Sequence, residues 1–248
     1  NPHWGTPANP ADATLARIPG GSSSGAAVSV GLGLAVAGLG SDTGGSLRIP
    51  AALCGLVGFK GSQSRVTRQG AMELARSLDT VGAITRSVDD AWLIDAVLSG
   101  QALSVRQRSV KGLRLAMPDA NQFPDFMQPA VIQSWRDAAQ VLDGLGAVVI
   151  PVRLPDGFLD LAAQTGRIIA SEAHSLHRDY VDNPDVPLGP AVRQRIQAAA
   201  SFKPGEYAEV LKTMHDQRRV FAQWFEAFDA MLLPTVAATA TALADVDE

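Results

Sequence analysis

Pro19-Gly20-Gly21-Ser22-Ser23-Ser24-Gly25 and Gly40-Ser41-Asp42-Thr43-Gly44-Gly45-Ser46-Leu47-Arg48-Ile49-Pro50 are the two stretches on which the reading of this chain turns. Between them Ala26–Gly40 is apolar, rich in Gly and Ala, and shorter than the roughly 20 residues that span a bilayer, so a buried core helix is predicted there. Two Gly/Ser loops then bracket one helix and can converge on one site. Glycine leaves backbone N–H groups uncovered, so Thr43-Gly44-Gly45-Ser46 can offer several donors to a single oxyanion, which is what acyl transfer requires.

Outward from these loops the pattern alternates. Ala51–Lys60 reads as a helical turn and then a buried strand, punctuated by Gly55. Ser87-Val88-Asp89-Asp90 combines a capping serine with an acidic first turn and Gly100 supplies a stop, predicting a helix over Val88–Leu98. Lys111–Met117 is predicted as a strand ended by Pro118, and Ala147–Val152 as a β-branched strand. Between them Pro129–Asp143 places Ile132, Trp135, Ala139 and Leu142 at helical spacing. The alternation predicts an α/β fold, a mixed β-sheet core flanked by helices on both faces. Phe158–Val181, Leu188–Ser201 and Pro204–Phe228 read as successive helices, followed by a short strand over Ala230–Leu233 stopped by Pro234. Residues 153–228 are therefore expected to form a helical insertion within a single domain covering 1–248. Ala237–Glu248 shows no periodicity.

Lys and Arg number 21 against 25 Asp and Glu, for a net charge of −4 without any basic run, so no electrostatic footprint for nucleic acid or an anionic membrane is present. The single cysteine, Cys54, supplies neither an internal disulfide nor a C-x-x-C motif; it is read as a small buried hydrophobe in a reducing, cytoplasmic setting. Asn1–Pro7 carries no initiator Met and no secretory pattern. His174 and His177 sit three apart with Glu172 nearby, but no third ligand accompanies them; a solvated helix face is predicted and no metal site.

Gly20-Gly21-Ser22-Ser23-Ser24-Gly25, followed 24 positions after Ser22 by Ser46 within Ser41-Asp42-Thr43-Gly44-Gly45-Ser46-Leu47-Arg48, resembles the amidase signature family. The likeness runs without a gap from Pro19 to Lys60 and continues through Ser77-Leu78-Asp79-Thr80-Val81-Gly82 and Arg86-Ser87-Val88-Asp89-Asp90. It implies that Ser46 attacks the amide carbonyl to form an acyl-enzyme, and that Ser22, on a cis peptide, relays the proton to an unprotonated lysine. It also implies an oxyanion hole from the amides of Thr43, Gly44, Gly45 and Ser46. No cofactor is implied, and the partner is a small-molecule amide, with amidotransferase partner subunits or a homo-oligomer also admitted. The segment 153–228 is expected to lie on the substrate side. The family's lysine precedes its first serine by many tens of residues, whereas no lysine occurs among the 21 residues before Ser22. The chain is thus expected to be an internal fragment, lacking the lysine region and the closing C-terminal portion and inactive alone. Ser24 stands where glycine is common, and Gly61 where proline is common.

Each residue also has a plainer reading. Ser22 alone would pass as a helix N-cap, a role that Ser23 or Ser24 can take instead. Arg48 either holds a substrate carboxylate by a bidentate contact or pairs with Asp42 to brace the loop, and the pairing is the simpler. Asp42 and Ser23 are read as loop support. Gly21-Ser22-Ser23-Ser24-Gly25 also fits the G-x-S-x-G elbow of an α/β-hydrolase-like esterase, with Ser23 as nucleophile, but that motif needs a preceding apolar strand. The glycines around Gly31-Leu32-Gly33 fail as a dinucleotide loop because Val36 occupies the third glycine position. Within the family, the glutaminase (A-type) subunit of a tRNA-dependent amidotransferase is the main alternative to a free-standing amidase.

Overall fold

The computed structural model describes residues 3–103, 109–203 and 205–246. In chain order its main elements are α1 (Ser24–Gly31), β1 (Ala37–Asp42), α2 (Arg48–Leu53), β2 (Val57–Phe59), β3 (Thr80–Thr85), α3 (Val88–Ser99) and β4 (Arg114–Pro118). They continue with α4 (Pro129–Gly144), β5 (Val148–Val152), α5 (Leu161–Val181), α6 (Pro190–Gln197), α7 (Glu206–Phe225) and β6 (Ala230–Met231). The class is α/β with mixed strand directions, as the alternation predicted. Contacts divide the chain into two compact units, one built from Asn1–Leu103, Ala163–Val210 and Ala240–Glu248, the other from Ser104–Ala162 and Leu211–Thr239.

The first unit holds an antiparallel sheet of order β1-β3-β2, with Ala37 opposite Thr85, Asp42 opposite Thr80 and Phe59 opposite Ala83. Here the predicted single helix over Ala26–Gly40 is corrected. The helix ends at Gly31, Gly33 turns the chain with φ +74°, and Ala37–Asp42 is a strand. The reason lies in packing. A Cβ on Gly38 would sit 2.8 Å from the Ala26 methyl, and one on Gly40 would sit 2.5 Å from Ser23 Oγ, so glycine lets α1 lie directly on the strand. Those same glycines erase the β-branched signature by which a strand is recognised.

β3 is the central strand and mostly buried, though the sequence pattern predicts no strand there. Ala27, Leu47, Ala51, Cys54 and Ile84 form a core cluster, with Ala26 and Leu56 against it. The α3 cap forms as read: Ser87 accepts the Asp90 amide, and Gly100 closes the helix at φ 67°. Ala173, Val181 and Ile196 make a separate cluster where α5 meets α6. The aperiodic stretch near residue 240 is tied down, since Ala242 bridges to Arg17 and the Arg17 guanidinium donates to Ala240 O at 2.8 Å.

The second unit carries a parallel sheet of order β5-β4-β6. On α4, Trp135 is buried, packs edge-on against Phe123 at 5.3 Å and donates its indole N–H to Leu232 O at 3.1 Å. That bond satisfies the polar atom such a ring must bring inside. Phe221, Trp224, Phe225 and Phe228 stack along the end of α7, with Phe158 on Phe221. Among the described residues no helix is long and apolar enough to cross a membrane.

Candidate active site

The turn from β1 into α2 is wound around one carboxylate. Asp42 is fully buried, and its oxygens accept the amides of Gly45 at 2.8 Å, Leu47 at 3.1 Å and Arg48 at 3.3 Å. The Arg48 guanidinium adds Nε at 3.0 Å and Nη2 at 2.8 Å. Burial alone would push this carboxyl up. The hydrogen bonds and charge of Arg48, with the Leu47 and Gly45 amides, more than offset burial and hold it below its ordinary 3.8. Arg48 is therefore found on Asp42, the bracing arrangement.

Gly45 takes φ +124°, and a Cβ there would lie 2.6 Å from Ile49 Cδ1, so glycine is required. Of the four amides expected to form the oxyanion hole, that of Gly45 donates to Asp42 instead. Among the described residues, the amides of Thr43, Gly44 and Ser46 meet no protein acceptor. Ser46 is half-buried.

The other loop reaches the same place. The Gly21–Ser22 peptide is cis, as the resemblance implies, and Ser22 is exposed. The Ser23 amide donates to Ser46 O at 3.1 Å, joining the two loops next to both serines. Ser23 occupies the N-cap position of α1, yet its side chain makes no capping bond. Among the described residues no strand leads into it, so the structural requirement of the esterase elbow is unmet. Cys54 is buried and contacts Pro19 O through Sγ at 3.5 Å, and burial pushes its thiol up.

Side chains from outside the two serine loops complete the surroundings. Thr43 Oγ1 donates to the buried Asp79 at 2.6 Å. On α5, Ile169 Cδ1 lies 3.5 Å and Thr165 Cγ2 3.9 Å from where a Gly44 Cβ would be, so this helix packs over the turn. Lys60 is half-buried; burial and the charge of Arg48 lower its pKa, against the pull of Asp42. Glu172 and the two histidines depart from the predicted solvated face. Glu172 is buried, His177 Nε2 sits 2.6 Å from Glu73 O, and His174 faces Asp182 at 3.3 Å. Among the described residues no group of His, Cys, Asp and Glu is arranged to hold a metal ion.

This is an α/β protein with a strand-to-helix turn whose backbone donors are clamped open by a buried carboxylate and joined to a second serine loop. The chain belongs to the amidase family, whose model matches residues 1–248. It is 35% identical to 2-amino-5-chloromuconic acid deaminase of Comamonas testosteroni, over 99% of this chain and 54% of that protein. It is 33% identical to the A-type subunit of glutamyl-tRNA(Gln) amidotransferase of Thermotoga maritima, over 97% and 57% respectively. Among solved structures, an amidase superposes with a TM-score of 0.85 at 32% identity, over 95% of this chain and 53% of the other. The Thermotoga amidotransferase chain superposes with a TM-score of 0.79 at 31% identity, over 99% and 56%. The chain thus spans about half the length of the curated relatives it matches.

Proposed function

We propose that the protein hydrolyses a carboxamide C–N bond through an acyl-enzyme on Ser46. Ser46 Oγ adds to the amide carbonyl while Ser22 relays its proton toward the departing nitrogen. The C–N bond then breaks, leaving an ester on Ser46 and a free amine or ammonia. Water cleaves the ester to the acid and restores the hydroxyl. The amides of Thr43, Gly44 and Ser46 face the developing oxyanion, where one such donor is worth about 3 kcal/mol. Gly45 serves by spending its amide on Asp42, and Arg48 braces the same carboxylate; its two bonds to Asp42 favour that role over a substrate contact. The lysine that the resemblance implies as the base of the relay has no counterpart before Ser22 in these residues.

The observation that carries this reading is the Ser23 amide to Ser46 carbonyl bond, which supports a common site for the two serines. The packing of Ile169 over Gly44 supports a substrate-side role for the helical segment. A lone buried Cys54 fits a cytoplasmic setting. The test is hydrolysis of simple carboxamides by the full gene product: Ser46→Ala and Ser22→Ala are expected to lose turnover while keeping native thermal stability, and turnover in Ser46→Ala would sink the reading. The 33% identity to an A-type amidotransferase subunit favours a second reading, a glutaminase working with partner subunits. Glutamine hydrolysis that appears only with co-purified partner subunits would select it.

A further inference from the structure

Glu172 lies on α5, far in sequence from either serine loop, and is 9% exposed. Burying a carboxylate is costly unless it is well supplied with donors. Here one oxygen accepts the Ser77 amide at 3.0 Å, and the other accepts Ser77 Oγ at 2.5 Å and the Tyr207 hydroxyl at 2.6 Å. Arg167 on the same helix pairs with Glu206 instead, so Glu172 is held by neutral donors. Burial, then the hydrogen bond and charge of Glu172, push the Tyr207 phenol up to about 12, which keeps it a donor.

Ser77 belongs to a turn without regular secondary structure that ends at Asp79. Asp79 spends one oxygen inside that turn, on the amides of Leu74 at 2.8 Å and Ala75 at 3.0 Å. Its other oxygen holds Thr43 Oγ1 at 2.6 Å, and Thr43 opens the segment leading to Ser46. A continuous path therefore runs from Tyr207 and Glu172 through Ser77 and Asp79 to Thr43. Asp42 clamps the turn from inside at Gly45 and Leu47; Asp79 is the group holding the Thr43 side chain from outside.

We infer that Glu172 is a positioning residue: by fixing the 74–79 turn it fixes Asp79, and through Thr43 it aims the amides that face the oxyanion. This rests on the reading of Ser46 as the nucleophile. A displacement of about 1 Å at a reacting centre can cost on the order of 10²-fold in rate, so a carboxylate one turn removed can matter without touching substrate. Gln can replace Glu here, because its carbonyl can accept the Ser77 amide while its NH₂ donates to the rotatable hydroxyls of Ser77 and Tyr207.

The test is the rate of covalent labelling by a fluorophosphonate in the full gene product, resolved into kinact and KI and normalised to folded protein. Glu172→Ala is expected to lower kinact about tenfold or more with KI within about twofold, Glu172→Gln to recover most of the loss, and Tyr207→Phe to lower kinact about threefold. A purely structural role would lower Tm and leave kinact per folded molecule unchanged, which would overturn the inference. So would a loss in Glu172→Ala that appears in KI alone. If Glu172→Ala does not fold, Tyr207→Phe decides: a reduced kinact at native Tm supports the path, and a wild-type kinact overturns it. Labelling of Ser46→Ala at the wild-type rate would overturn the nucleophile reading itself. An unlabelled Ser46→Ala beside a wild-type kinact in Glu172→Ala would overturn the positioning role alone.

Discussion

The Gly20–Phe59 segment and the α5–α7 helices organise themselves by different means. In the first, elements meet backbone to side chain at glycines 38, 40 and 58, where an added Cβ would fall 2.5–2.8 Å from its neighbour. In the helices, position is set by side chains: Glu172 on Ser77 and Tyr207, Arg167 on Glu206, and aromatic stacking near Phe221. Steric contact at glycine leaves no room for adjustment, whereas long polar side chains can be exchanged for others that make the same bonds. The segment with the proposed chemistry is thus rigid by its smallest residues, and the helices supply alignment from outside.

Substitutions can break this comparison. The largest expected effect is at Ser46: Ser46→Ala should lower amide turnover by at least about 10³-fold in steady-state assays with Tm within a degree or two of wild type. Asp42→Ala should follow, because it strands Arg48 and frees three amides; a loss of about 3 kcal/mol in denaturant unfolding and about 10²-fold in turnover is expected. Gly40→Val should cost about 1–3 kcal/mol by overpacking Ser23 and Leu47 and should slow Ser46 labelling with it. Phe221→Ala, in the aromatic stack, should cost about 1–2 kcal/mol of stability and leave labelling per folded molecule unchanged. If Phe221→Ala impaired labelling as much as Gly40→Val, the contrast between the two regions would fail.

The smallest effect concerns acid. The Asp42 carboxyl is depressed below its ordinary 3.8 in the folded protein, so the stability it contributes is fully present above that value and is lost as pH falls through the folded value. The Tm of the wild type should hold down to about pH 4 and decline below it, and Asp42→Asn should show a shallower acid limb. An identical acid limb in both proteins would show that Asp42 does not set the acid stability.

The serine loops were legible because their glycines report a geometry directly: only glycine takes φ +124° at position 45 against Ile49. The helix Val88–Ser99 was legible through its Ser87 cap and Gly100 stop, and the amphipathic helices through their period. The two strands that escaped did so because of glycine as well. β1 hides as Ala-Gly-Leu-Gly-Ser-Asp because the helix above it demands glycine, and the side-chain pattern of β3 is interrupted by Gly82, whose Cβ would lie 2.3 Å from Phe59 O. Glu172 looked like part of a polar helix face because its partners, Ser77 and Tyr207, lie 95 and 35 residues away and are adjacent only after folding. The Gly45 amide could not be assigned from the motif either, since whether it faces ligand or Asp42 depends on the path of the turn.

The central claim is that Ser46 is the nucleophile, and the most direct measurement is the site of covalent modification. The full gene product should be treated with a fluorophosphonate, digested, and its peptides sequenced by mass spectrometry. One adduct is expected, on the peptide containing Ser46, that disappears in Ser46→Ala and forms more slowly in Ser22→Ala. An adduct on Ser23, or labelling that persists in Ser46→Ala, would contradict it.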